Sequence, residues 1–258
     1  MANESIGKTI LVAALLCIVC SILVSTAAVK LKPLQEINKA LFKKNNILKA
    51  AGLLEEGKDV EELFKNIEVK YVDIDTGDFN ETINSKAYNV KAALARPGLS
   101  VAISPEADIA NIKRRVKTAE VYLVKVDGKL KTIILPVYGK GLWSTMYAFL
   151  ALESDGNTIK GFSFYDHGET PGLGGEIDNP SWQKQFQDKL VYDEDWNVMI
   201  NVLKGKVNRD KPEAIHQADG LSGATLTTTG VKNMMRYWLG KDGFKKFLQN
   251  VRKQDQGA

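Results

Sequence analysis

The sequence predicts an α+β protein: one N-terminal transmembrane helix, then a mostly antiparallel sheet with flanking helices. Three observations predict this. Thr9 to Val29 is a run of 21 residues without a charge. Residues 119–165 hold two adjacent strand–turn–strand patterns, centred on Asp127-Gly128 and on Ser154-Asp155-Gly156-Asn157. Helical patterns come before and after these strands rather than between them, which argues against parallel βαβ crossovers. With 258 residues, 44% hydrophobic and 26% charged, the chain can bury one or two real cores.

The uncharged run is long enough to span a bilayer, since a helix rises about 1.5 Å per residue and the hydrocarbon layer is about 30 Å thick. Lys8 precedes it, and Lys30 and Lys32 close it. Ser25 and Ala27 form a small-x-small pattern, as at a signal-peptide cleavage site. The run exceeds the usual signal core of about 7–15 residues, which favours a retained anchor. The charges leave the side of the membrane open. Lys30, Lys32, Lys39, Lys43, Lys44 and Lys49 would keep a short loop inside, but long domains cross largely regardless of charge. Cys17 and Cys20, the only cysteines, both fall in this run and read as small packing residues. With only two histidines as well, a zinc or iron–sulfur site in the rest of the chain is not expected. Net charge is +4, with no basic block interleaved with aromatics, so nucleic acid is not expected as a partner.

Four regions follow from this reading: residues 1–8, the membrane span 9–29, a helical part 30–118, and a β-rich domain 119–258. Pro33 to Leu54 reads as a helix that starts at its proline. Val60 to Ile67 reads as a short helix and Val69 to Ile74 as a strand, with a turn at Thr76-Gly77-Asp78. Residues 79–105 show no period. Glu106 to Arg115 reads as a helix. Ala119–Val126 and Leu130–Val137 flank the Asp-Gly hairpin turn, and Met146–Leu152 and Thr158–Tyr165 form the second pair. Val198 to Leu203 is a further strand candidate. Val231, Met234, Met235, Trp238 and Leu239 carry helical spacing.

The chemistry concentrates just before that last helix. Asp219 to Gly230 reads D-G-L-S-G-A-T-L-T-T-T-G, with Ser222, Thr225, Thr227, Thr228 and Thr229 placing five hydroxyls in eight residues. A helix N-terminus has unpaired N–H groups and positive partial charge, and Gly223 and Ala224 would shield them little. An N-cap needs only one hydroxyl, so the surplus favours an anion site. G-L-S-G-A also looks like a serine nucleophile elbow. That arrangement expects a histidine after the serine, whereas His167 and His216 both precede Ser222.

Two glycine-rich stretches lie at strand ends. Tyr138 to Ser144 reads Y-G-K-G-L-W-S and offers flat aromatic faces. His167 to Glu176 reads H-G-E-T-P-G-L-G-G-E and makes a defined loop. A dinucleotide fingerprint would need a third glycine where Ile177 stands.

Asp219, Ser222, Gly223, Ala224, Thr225 and Thr227 match D-x-x-S/T-G-A-T-x-S/T, and the chain thereby resembles the FMN-binding domain family. G-x-G-L-W-S and H-x-E-T-P-G-L-G are similar to one subgroup, the C subunits of Na+-translocating NADH:quinone reductases and the related G subunits of Rnf electron-transfer complexes. Length, the long segment 33–118 and the spacing lean toward the sodium pump. The resemblance implies FMN held covalently on the side-chain oxygen of Thr225 by a phosphoester. It implies that Ser222, Gly223, Ala224 and Thr227 hold the phosphate, with Asp219 and Leu226 in the same cofactor-binding set. Thr170, Gly172, Leu173 and Gly174, with Trp143 and Ser144, would frame the isoalloxazine. Glu169 and Glu176 read as structural. The resemblance further implies an electron-relay subunit in the bacterial inner membrane, its domain on the periplasmic side, loaded by a separate flavin transferase and assembled with the other subunits of the complex. No catalytic triad or carboxylate pair is legible, and no catalytic or metal-ligating residue is assigned. Two other classes stay open: an exported soluble ligand-binding protein and a cofactor-free assembly subunit.

Overall fold

A computed structural model describes residues 5–55, 57–83, 88 and 90–256. Of the short stretch 1–8, the first four residues lie outside that range. The chain divides into two compact units, Met1–Lys43 and Lys44–Ala258.

The first unit is helical. Helix α1 runs from Ile6 to Ala51 without a break, and Pro33 lies inside it. This corrects the expectation of a new helix starting at Pro33. Lys30-Leu31-Lys32 contains no glycine or turn former, so helical neighbours on both sides carry the chain across the one missing N–H. Among the described residues this is the one helix long and apolar enough to cross a membrane. Its apolar side chains are exposed all round, as in Leu15 at 53% and Val24 at 69%, which is what a lipid-facing helix shows.

The second unit is built on a five-stranded antiparallel sheet, in the order β1 (Ile67–Asp73), β4 (Thr118–Val126), β5 (Lys129–Lys140), β6 (Thr145–Glu153) and β7 (Ile159–Asp166). The strands β4 to β7 form a meander. Asp127 and Gly128 close its first hairpin with φ of 53° and 76°, the left-handed pair that a tight hairpin turn requires. Asp155 closes the third by accepting the N–H groups of Asn157 and Thr158. The antiparallel α+β expectation holds.

Both faces of the sheet are covered, which is why the middle stretches of β4, β5 and β6 are nearly all apolar. Val121, Leu123, Ile133, Leu135, Ala148 and Leu150 pack on the side of helix α5 (Thr225–Trp238) and helix α6 (Lys245–Gln256). Tyr122, Val124, Ile134, Phe149 and Ala151 point the other way, onto Ile47, Leu48, Ala50 and Ala51 at the end of α1. The period-2 alternation of strand side chains sorts them. Short helix α2 (Val60–Phe64) supports this second face.

Segment 30–118 differs from the helical reading. Ile67 opens β1 rather than ending α2, and β1 pairs with β4 along its whole length. Helix α3 (Val90–Leu94) and strand β2 (Ser100–Ala102) fall in the stretch without a period, and β2 pairs with β3 (Arg114–Val116) beyond it. Residues 106–113 are turns, not a helix. Asn111 and Lys113 take φ of 52° and 64°, and the Asp108 carboxylate accepts the N–H groups of Ile112 and Lys113. An aspartate bonding its own following backbone competes with a helix ladder. Of the strand expected at 198–203, Asn201–Val202 pairs as β8, in parallel with β9 (Gln217–Ala218), and Val198 makes a single antiparallel bridge with Tyr192. Short helix α4 (Pro180–Lys184) lies between β7 and β8.

Candidate functional site

Helix α5 begins at Thr225, and no side chain caps it. Its ladder opens with the N–H of Thr228 on the carbonyl of Ala224, at 2.9 Å. The N–H groups of Thr225, Leu226 and Thr227 therefore have no place in the ladder, and the positive end of the helix dipole opens at Thr225. Gly223 sits before it with φ of +71°, strained for any side chain, and the one atom near its missing Cβ is Leu173 Cδ2 at 3.1 Å. Ser222, Thr225 and Leu226 are exposed. This is a bare, uncapped helix start with a serine and a threonine hydroxyl at its mouth. It fits a phosphate monoester.

Glycines let α5 reach this position. A Cβ on Gly230 would collide with the Lys140 carbonyl and approach Gly141 Cα to 3.2 Å. A Cβ on Gly139 would stand 2.8 Å from Met234 Cβ. The helix thus seats directly on the end of β5, and the β5–β6 turn, residues 141–144, lies beside its first two turns.

One carboxylate ties the pieces together. Glu169 is buried, and its oxygens accept the N–H groups of Leu142 at 3.1 Å, Trp143 at 3.0 Å and Ser144 at 3.3 Å. The Thr227 hydroxyl donates to it at 2.6 Å. Burial pushes this carboxyl up, but the Thr227 hydroxyl and the three N–H donors outweigh burial and leave it below its ordinary value. Gly168 N–H donates to Ser144 Oγ at 2.6 Å, and Trp143 Nε1 donates to Thr170 Oγ1 at 3.0 Å. The G-L-W-S turn, the H-x-E-T-P-G-L-G loop and the start of α5 therefore form one site.

The predicted residues fall into two sets. Trp143, Leu173 and Leu226 stand 66%, 46% and 62% exposed, and Leu173 is the side chain nearest Gly223, so apolar surface faces solvent on these three elements. Thr170 and Ser144 hold this rim, and Gly172 turns the loop with φ of +74°. Three residues make contacts within the protein that the sequence did not signal. The Thr227 hydroxyl faces inward onto Glu169, which leaves its backbone N–H for the helix mouth. The Asp219 carboxylate is committed to Val207 N–H at 2.6 Å and Arg209 at 3.0 Å, so it braces the loop. Gly174 approaches its own chain: a Cβ there would meet Thr227 Oγ1 at 2.5 Å.

Sequence reasoning passed over the central role of Glu169, which the H-x-E spacing signalled only as structural. It also missed Trp182 and Gln185, whose side chains hold the Asp219 carbonyl at 2.9 and 3.2 Å. Nothing in the spacing links residues 34 or more positions apart.

Residues 141–240 match the model of the FMN-binding domain family. The C subunit of the Na(+)-translocating NADH-quinone reductase of Pseudomonas aeruginosa is 50% identical over 98% of this chain and 99% of its own. That of Vibrio alginolyticus is 49% identical over 97% and 96%. Among solved structures, Shewanella oneidensis NqrC superposes with a TM-score of 0.77 at 34% identity, covering 84% of this chain and 99% of that one. Fold and site thus define a protein of the FMN-binding-domain class. Over its length, the chain belongs to the family of Na(+)-translocating NADH-quinone reductase C subunits. These relatives support the sodium-pump side of the resemblance over the Rnf side.

Proposed function

We propose that this chain is a membrane-anchored flavoprotein subunit that carries FMN on Thr225 and relays electrons within a Na+-translocating NADH:quinone reductase. The observation that carries the reading is the start of α5: an exposed threonine hydroxyl on an uncapped helix N-terminus, edged by Trp143, Leu173 and Leu226. FMN supplies one- and two-electron transfer when bound. The protein's part is to hold it. The N–H groups of the first turn and the Ser222 hydroxyl hold the phosphate, and the apolar rim covers the ring. Exposure of that rim suits a carrier that must come close to donor and acceptor.

In attachment the Thr225 hydroxyl would lose its proton and its oxygen would become the ester oxygen on the FMN phosphate, the leaving group of an activated flavin donor taking up that proton; nothing would be oxidised or reduced. No nucleotide-binding catalytic set is legible in this sequence, so a separate flavin transferase performs the step. The 9–29 segment remains as an anchor in the bacterial inner membrane, with the domain on the periplasmic side. To test this, the full chain is produced with and without a flavin transferase. The reading expects yellow protein, heavier by one esterified FMN, only with the transferase. Colourless protein of unmodified mass under both conditions sinks it in favour of a cofactor-free assembly subunit.

A further inference from the structure

Glu169 is a charge the relay does not obviously need. It is 5% exposed, in contact with elements that bear the proposed flavin site on every side. Trp143 and Ser144 donate to it, Thr170 follows it, Thr227 donates to it, and a Cβ on Gly174 would stand 3.0 Å from it. Among the described residues no lysine or arginine pairs with it. The nearby ionisable groups are turned elsewhere. Lys140 Nζ donates to the Trp143 carbonyl at 2.9 Å. His167 takes the Glu169 N–H on Nδ1 at 3.1 Å and turns Nε2 to Asp178 at 2.8 Å. From helix α5 the Thr227 hydroxyl donates to it. Dipoles therefore stabilise the carboxylate, and among the described residues no cation stands within ion-pair distance of it.

A bracing role alone asks for hydrogen-bond acceptors, and these need not be charged. A buried carboxylate without an ion-pair partner also acts at a distance, because burial weakens screening. Adding electrons to a flavin adds negative charge, which such a field opposes. We infer that Glu169 is a positioning residue with an electrostatic function: it holds the two loops on α5 and lowers the potential of the flavin they frame. Its lowered pKa keeps the carboxyl ionised through the physiological range.

This rests on the reading that FMN is bound at Thr225, and the experiment separates the two. The full chain is loaded with flavin as wild type, Glu169→Gln and Thr227→Val, and the midpoint potential of each is measured at neutral pH. Exchange of the Leu142, Trp143 and Ser144 amide hydrogens is followed in the unloaded proteins. Glu169→Gln should shift the potential upward and speed exchange at those three amides. Thr227→Val removes a neutral partner and keeps the charge, so it should shift the potential less than Glu169→Gln. An unchanged or lower potential in fully loaded Glu169→Gln overturns the inference, as does an equal shift in both variants. Loss of covalent flavin from Glu169→Gln alone overturns it in favour of a role in attachment. Absence of flavin from the wild type counts against the underlying reading instead.

Discussion

At the residue scale the site turns on which hydroxyls face out. Thr225 is exposed, whereas Thr227 and Thr228 are buried and bonded to Glu169 and to the Leu221 N–H. The hydroxyl surplus was legible in the sequence, but the division of labour was not, because it depends on where α5 sits. Ser222→Ala should leave flavin attached and weaken its hold by about 1.5–3 kcal/mol, one hydrogen bond to a charged group. Retention of the flavin potential and of ring mobility, measured by fluorescence anisotropy, would show that Ser222 makes no such bond. Glu169 supplies a pH prediction. Its folded pKa is lowered, so its stabilisation is full above the unfolded carboxyl value of about 4.3. It is lost as pH falls through the lower folded value. Glu169→Ala should cost about 2–3 kcal/mol at neutral pH, measured by urea unfolding, and the gap between wild type and variant should narrow as pH falls below the ordinary carboxylate range. A gap that stays constant with pH would show that the carboxylate's charge contributes nothing.

At the element scale the decisive contact is α5 on the end of β5. The helical spacing of Val231, Met234, Met235 and Trp238 is readable from the sequence, and so are the hairpins. The fit is not, since it rests on Gly139 meeting Met234 and Gly230 meeting the Lys140–Gly141 backbone, about ninety positions apart in the chain. Gly230→Val should push the first turn of α5 off β5 and cost about 2–3 kcal/mol by overpacking, with flavin attachment falling alongside. Gly98→Ala, with no atom near the new methyl, should stay within about 0.5 kcal/mol of wild type. Thermal denaturation of both variants compares them; equal effects would mean that the seat of α5 is not tight. The same reasoning revises what a Gly174 variant reports. A side chain there strikes Thr227 before any flavin, so a loss of function in Gly174→Val would report broken packing. The 106–113 and 198–203 segments escape sequence reading because local aspartate bonding and two-residue pairing leave no periodic trace.

At the scale of the whole molecule, the end of α1 belongs to the domain's core rather than to the anchor. Ile47, Leu48, Ala50 and Ala51 bury one face of the sheet. A chain lacking residues 1–43 should be soluble and cooperatively folded. A chain lacking residues 1–51 should uncover Tyr122, Val124, Ile134 and Phe149 and aggregate. Size-exclusion chromatography with thermal melts distinguishes them, and equal behaviour would place the core elsewhere. A reporter fused after Ala258 that works only outside the cytoplasm should be active; an inactive reporter on a stably produced fusion would reverse the proposed topology. The membrane run is plain in the sequence, because a bilayer reads length and lack of charge directly. The side it faces is not written in the same terms.

The most direct test of the central claim is the intact mass of Thr225→Val produced beside wild type with a flavin transferase, with fluorescence of the denatured proteins. Valine keeps the β-branched shape and removes only the oxygen. The account predicts a folded, colourless variant at its unmodified mass, beside a wild type carrying one esterified FMN. Fluorescent, denatured Thr225→Val with the same added mass as wild type would contradict it, since the flavin would then sit on another residue.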